Sequence, residues 1–281
     1  MTASVAGVVL TLNEERDLSR ALTSLAWCNE LLVVDSGSTD LTSAVAARVG
    51  ARFVVHRPAG RFLISEQRNW ALDHAGLSSD WVLFLDADEE IPATTADAIQ
   101  RLIVDPSAAD GFELTPRYWF FGRWLRHTQG YPNWHPRLLR FDRLRFEGGV
   151  WESFCGIEGA AAGPIGRIAS PYEHYAFCKG MDDWLERHRR YADWEAEKIV
   201  AYLKGGGRQV LGTQRWRWLR QWAAIAWPLR PLGRFSQKYL LQGGWREGWQ
   251  GFLFALLMAV YDLITVVKVI ELRRLEKGLP L

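Results

Sequence analysis

Three short runs, VAGVVLTL from Val5, ELLVVDS from Glu30 and WVLFLDA from Trp81, are apolar almost without interruption. A strand with one wet face alternates apolar and polar residues, whereas a strand covered on both faces does not have to. These runs therefore predict the buried strands of a parallel sheet. The stretches between them supply its covering layers. NEERDLSRALTSLAW carries Leu18, Leu22 and Leu25 at helical spacing, and STDLTSAVAARVG opens on cap residues and closes on Gly50. ARFVVHR reads as a further strand and residues 62–76 as a third helix. Residues 1–115 are thus an α/β half of the nucleotide-binding kind, with helices on both faces of the sheet.

Beyond Gly111 the pattern loosens. Up to Tyr175 it breaks into aromatic and Arg-rich pieces with many Gly and Pro, which predict short strands and loops closing over the C-terminal edge of the sheet. MDDWLERHRRYADWEAEKIVAYL, residues 181–203, predicts a helix stopped by the glycines at 205–207. Its aromatic stripe, Trp184, His188, Tyr191 and Trp194, reads as packing. The expected division is a catalytic domain over 1–178, with its nucleotide half at 1–115 and its acceptor side at 111–178. A helix and linker follow over 179–207, then basic, Trp-rich helices over 208–281. No repeat or low-complexity tract interrupts it.

Composition narrows the setting. The chain has 281 residues, long enough for a real core, with the apolar and charged fractions of a globular protein. Cys28, Cys155 and Cys178 form no CxxC pair and leave an odd thiol, so neither a disulfide framework nor a zinc knuckle is expected. The N-terminus lacks the basic segment and cleavage site of a signal peptide.

In open α/β sheets ligands sit beyond the carboxyl ends of the strands. Polar residues gather there. The first strand ends in Thr11, Asn13, Glu14 and Glu15; the second in Asp35, Ser36, Gly37, Ser38, Thr39 and Asp40; the third long apolar run in Asp86, Asp88, Glu89 and Glu90. Turn and cap chemistry explains Gly37, Ser38 and Thr39, and Asn13 as a helix entry, but leaves Asp35 in a position expected to be apolar. Asp86 and Asp88 point the same way in an extended segment. Ionised and close together they repel, unless a cation such as Mg2+ or Mn2+ arrives with substrate phosphates. The bland alternative is an acidic entry to the helix after Pro92.

Taken together, TLNEE, VVDSGSTD and LFLDADEE resemble the family 2 glycosyltransferases of GT-A fold. The likeness runs on through EQRNWAL and HPRLLRF, and within the family it is similar to the lipopolysaccharide core glycosyltransferases of the WaaE/KdtX type. The resemblance implies that Thr11, Asn13, Glu14, Asp35 and Ser36 hold the nucleoside, that Arg68 lies near the diphosphate, that Asp86 touches ribose or metal, and that Asp88 ligates Mg2+ or Mn2+. It implies inversion at the sugar by a carboxylate base. In GGVWESF, Glu152 matches the Glu of a His-Glu pair, while Trp151 stands where the His would be. Asp110, Glu147 and Glu173 are the next candidates. His135, Arg137 and His174 are possible diphosphate or acceptor contacts, Arg137 being a fixed donor fork; for each histidine a structural role is equally open.

Between Lys204 and Gln250 stand nine Lys or Arg against one acid, Glu247, with six of the fifteen tryptophans. No RNA-binding module accompanies them, so nucleic acid is not expected. Cations, interfacial Trp and an adjacent apolar helix suit an anionic membrane surface. FLFALLMAVYDLITVV holds Asp262, which favours a helix lying in one leaflet over a span, with soluble packing as the third reading. The expected activity is transfer of a hexose from a nucleoside diphosphate sugar, taken as UDP-linked, to a lipid-linked or lipopolysaccharide-core acceptor at the cytoplasmic face of the inner membrane. A polyprenyl-phosphate acceptor and a non-catalytic adaptor are the alternatives. A nucleotidylyltransferase would want a basic Gly-rich loop where TLNEERD is acidic.

Overall fold

The computed structural model describes residues 3–60, 62–105, 107–148, 152–205 and 224–281. Contacts divide it into two compact units. The first comprises Met1–Tyr118 and Tyr131–Ala176; the second comprises Trp119–Gly130 and Phe177–Leu281. Segment 119–130 thus joins the C-terminal unit, where the sequence had placed it on the acceptor side.

In the first unit the elements run β1 (Val5–Thr11), α1 (Leu18–Ser24), β2 (Glu30–Asp35), α2 (Thr42–Val49), β3 (Arg52–Val55), α3 (Ile64–His74), β4 (Trp81–Asp86), β5 (Glu89–Glu90) and α4 (Ala93–Ile103). They continue as β6 (Gly111–Phe120), β7 (Arg123–Trp124), β8 (His135–Arg140), β9 (Leu144–Gly148), β10 (Glu152–Gly156) and β11 (Ile165–His174). The last two residues of β6, and β7 with which they pair, belong to the second unit.

The sheet order is β3-β2-β1-β4-β8-β6-β11-β5. The pairs from β3 to β4 are parallel, as are β6 and β11, while β8 is antiparallel to both its neighbours. The expected GT-A architecture, a mostly parallel sheet with flanking helices, is what forms. All seven residues of β1 and the first five of β4 are buried, as continuous apolar runs require. One face packs Leu18, Leu22 and Leu25 with Trp81, Leu83 and Ile99. The other packs Ala71 and Leu72 with Phe84, Phe146 and Phe154.

Gly50 ends α2 in the left-handed conformation, φ 76°, as its position predicted. Region 111–175 is more regular than expected, because β6 and β11 are ten-residue strands. Pro116 and Pro171 inside them, with charged residues on either side, hide these strands, and each is only partly covered. The alternative reading of Asn13 as a helix cap is not what forms: Asn13 has φ 57° and α1 begins at Leu18.

In the second unit α5 (Gly180–Leu203) packs along α7 (Gly248–Glu276), with the short α6 (Arg230–Phe235) between them in sequence. Trp184 packs with Phe254 and Leu257 and stacks on His188, centroids 3.8 Å apart, so these members of the stripe are core. Arg208, Arg215, Arg217, Arg220, Trp216, Trp218 and Trp222 of the cationic stretch lie outside the described residues. Among the described residues one helical stretch, Gly244–Glu276, is long and apolar enough to cross a membrane by length and composition. Cys28, Cys155 and Cys178 form no disulfide among the described residues.

Candidate active site

The loops after β1 and β2 are laced together. Asp35, at the end of β2, accepts Gly37 N and Ser38 N on one carboxylate oxygen, and Thr11 Oγ1 and Ser38 Oγ on the other. The turn therefore accounts for Asp35 after all: a buried carboxylate at a strand end is tolerated because four donors satisfy it. Gly37 at φ 105° brings this turn against Arg57, whose Nε would lie 2.4 Å from an added Cβ. Asn13 N donates to Ser38 Oγ, and Asn13 Oδ1 accepts Thr39 N at 2.9 Å. Glu14 N donates to Thr42 Oγ1. Ser38 and Thr39 thus serve the β1 loop rather than capping α2, whose N-cap is Leu41. Ser36 Oγ accepts Gln67 Nε2 at 3.3 Å, tying this loop to α3 beside Arg68.

At the end of β4 the acids meet the protein's own cations. Asp86 Oδ1 accepts Arg68 Nη2 and Asp86 Oδ2 accepts Arg137 Nη2, both at 3.2 Å. Arg68 turns its other nitrogen to Glu152 Oε2, 2.5 Å away. Arg137 also reaches Glu89 Oε1 at 2.5 Å and Tyr172 Oη at 3.2 Å. Glu89, wholly buried, closes the loop by accepting Asp86 N at 2.9 Å. His174 lies 3.5 Å from Asp88 and from Glu89, and its ring faces Tyr118. The crowding of carboxylates is therefore relieved first by Arg68 and Arg137, and not by an arriving cation alone. Both guanidinium groups are buried and spent on protein carboxylates, so neither is presented to solvent as a free anion fork.

Charge states follow from this packing. Burial penalises the Asp86 anion, but Arg137 and then Arg68 outweigh it and hold the carboxyl well below its usual range. Burial pushes Glu89 up to about 7 against the pull of Arg137. Burial also raises Glu152, with Arg68 and Arg137 opposing. Glu152 Oε1 is buried without a hydrogen-bond partner. His174 is raised: burial disfavours its cation, but Asp88, Glu89 and Asp86 outweigh that. His135 is pushed down to about 3 by burial and by Arg137, His174 and Arg68, which leaves it neutral at neutral pH.

Glu152 opens β10 and is the candidate base that joins this cluster. Asp110 instead sits 4.0 Å from Arg140, Glu147 accepts Ser153 Oγ, and Glu173 pairs with Arg117. Trp151 lies outside the described residues. Sequence reading gave no role to Glu89 or Tyr172, and no local spacing could have done so, since Arg137 lies 48 and 35 residues from them. Next to Glu152 on β10, Ser153 lines an open cavity of about 620 Å³ with Glu113, Phe154, Ile165 and Arg167. Arg167 pairs with Glu113 at 3.0 Å and lies over the Trp134 ring, 5.0 Å from its centroid.

Among the described residues no group of three or more His, Cys, Asp or Glu is placed to hold a metal ion. The chemistry of the donor set nevertheless fits a hard divalent cation completed by substrate phosphates. Asp86 and Asp88 are oxygen donors with side chains 30% and 18% exposed. Each Asp86 oxygen keeps a lone pair beyond its arginine.

A mostly parallel sheet with flanking helices, its acids gathered at the strand ends, is the architecture of a GT-A fold. The family model for glycosyl transferase family 2 matches residues 8–158, more than half of the chain, and the chain belongs to that family. The resemblance read from the motifs is borne out. The protein is a glycosyltransferase. It is 26% identical to the lipopolysaccharide core biosynthesis glycosyltransferase LpsC of Rhizobium meliloti (strain 1021), over 95% of this chain and 92% of that one. It is 35% identical to the uncharacterized glycosyltransferase RC0292 of Rickettsia conorii, over 36% of this chain and 35% of that one. Among solved structures, S. aureus TarS 1-349 is similar over 90% of both chains, with 16% identity and a TM-score of 0.44. Glucosyl-3-phosphoglycerate synthase from Mycobacterium tuberculosis, in complex with Mn2+, UDP and glucosyl-3-phosphoglycerate, covers 45% of this chain and 47% of its own, with 28% identity and a TM-score of 0.34.

Proposed function

We propose that this family 2 glycosyltransferase moves a hexose, with inversion, from a UDP-sugar to a lipid-linked or lipopolysaccharide-core acceptor at the cytoplasmic surface of the inner membrane. The observation that carries the reading is the linkage of Glu152 to Asp86 through Arg68, which fixes a carboxylate base beside the acids at the β4 end. The near full-length likeness to LpsC supports the class of acceptor.

Thr11, Asn13, Glu14, Asp35 and Ser36 form the nucleoside side, with Asp35 setting the shape of the loop from within. Asp88, with the free rim of Asp86, would hold Mg2+ or Mn2+. Such an ion, when bound, neutralises charge developing on a departing diphosphate. His174 stands 3.5 Å from Asp88, and Arg137 keeps Asp86 ionised. Glu152 takes the proton of the acceptor hydroxyl as that oxygen attacks the sugar. Its unpartnered Oε1 is the oxygen with a lone pair to spare, while Arg68 holds Oε2. The cavity beside Ser153 suits the acceptor sugar, offering Arg167 as a donor and Glu113 as an acceptor of hydrogen bonds.

A donor screen reading released UDP in the presence of Mn2+, with Asp88→Ala as control, tests the reading. Hydrolysis or transfer that appears only with wild-type protein supports it. Equal release by Asp88→Ala removes the metal-centred part. No release from any nucleoside diphosphate sugar removes the donor assignment.

A further inference from the structure

We infer that one face of α7 is a lipid-binding face and that this helix lies in the plane of the membrane surface without crossing it; the inference rests on the membrane acceptor reading and names the surface that meets lipid. Trp249, Phe252, Leu256, Leu263, Val267 and Ile270 are 42–58% exposed. Their spacing of three, four and seven residues sets them in one stripe, about 32 Å long at 1.5 Å per residue. Trp245, 55% exposed, extends it from the preceding turn. Phe235 and Tyr239 stack edge-on against Phe252, so the segment bearing exposed Leu232, Leu240 and Leu241 adjoins the stripe. A contiguous apolar face of this size on a folded protein marks a binding surface.

Charge selects lipid as the occupant. Among the described residues beyond 224, the exposed charged side chains are Arg246, Arg273, Arg274 and Lys277 against Glu276, which pairs with Lys204. Asp262 and Glu247 are buried. Apolar side chains with aromatics at one end and cations at both ends match an anionic headgroup layer.

Packing excludes a span, although a 29-residue helix is long enough. The opposite face of α7 is fastened along α5: His188 meets Tyr261 at 5.3 Å, Lys268 pairs with Asp193 at 3.2 Å, and Lys204 pairs with Glu276 at 2.6 Å. The outer side of α5 carries Glu186, Arg189 and Arg190, each more than half exposed. A spanning α7 would draw these charges into hydrocarbon, which strongly disfavours each of them. Lying flat leaves them in water.

Flotation of the full chain with vesicles of phosphatidylcholine containing phosphatidylglycerol is the test. Wild-type protein and Val104→Gln, an exposed control, should float, and Leu263→Gln/Val267→Gln should bind at least tenfold less while hydrolysing donor within twofold of wild type. Gln237→Cys and Leu279→Cys, in a background of Cys28→Ala, Cys155→Ser and Cys178→Ser, should both react with an impermeant maleimide outside the vesicles. Wild-type protein that does not float removes the membrane reading and this inference with it. A double variant that floats normally, or one cysteine shielded in the lumen, overturns only the inference. A wild-type dimer that the double variant abolishes would make a second copy the occupant and also overturn it.

Discussion

Arg68 bridges Glu152 and Asp86, giving one guanidinium nitrogen to each carboxylate at 2.5 Å and 3.2 Å. The residues lie 84 and 18 positions from it in the chain. The bridge sets the distance between the candidate base and the donor acids, which makes Glu152→Gln the most direct test of the mechanism. Positioned acid/base groups contribute about 10²- to 10⁴-fold. The variant should lose that much in kcat and keep UDP affinity within a few fold by calorimetry. A near-normal rate would move the base to another carboxylate.

The pH profile should report the same residue. Burial raises Glu152 above the usual 4.5, and Arg68 acts to lower it. The base must be ionised, so kcat/KM should fall as pH drops through the raised value, with its acidic limb above the ordinary glutamate range. Removing the lowering charge in Arg68→Gln should shift the limb to still higher pH. An acidic limb at or below the ordinary range would show that Glu152 is not the group titrating.

Asp88→Ala should abolish the gain in UDP affinity produced by Mn2+ while leaving metal-free UDP binding unchanged. Asp86→Asn should weaken that gain too and, in addition, lower stability, because Arg68 and Arg137 then face a neutral partner. Breaking buried ion pairs by removing one partner costs about 3–5 kcal/mol, and the 30% exposure of Asp86 places this case at or below the lower end. Titration calorimetry and urea unfolding separate the two effects.

In the second unit, Asp262 accepts Arg230 at 3.0 Å and Arg234 at 2.8 Å from a position 1% exposed. Asp262→Asn leaves two guanidinium groups without their anion. Unfolding in urea should show a loss of about 3 kcal/mol. A loss under about 1 kcal/mol would mean that Glu195, 3.1 Å from Arg230, already suffices.

Arg167→Ala should raise the acceptor KM roughly tenfold, the equivalent of one charge-assisted hydrogen bond at ~1.4 kcal/mol. Donor hydrolysis should be unchanged. If acceptor KM is unaffected, the cavity beside Ser153 is not where the acceptor binds.

The sequence alone determined the layers of the first unit and the location of its polar edge, because strand and helix periods are local properties of a few adjacent residues. Gly50, the apolar β1 and β4, and the long α5 could all be read in this way, as could the family motifs at Asn13, Asp35 and Asp86. Tertiary structure alone decided how the charges are balanced. Arg137 reaches Asp86 from 51 residues away, and Arg230 reaches Asp262 from 32. No periodicity links such partners. Coulomb attraction in a buried site selects whichever cation the folded sheet or helix pair brings within about 3 Å, so the pairing exists only after the elements have packed.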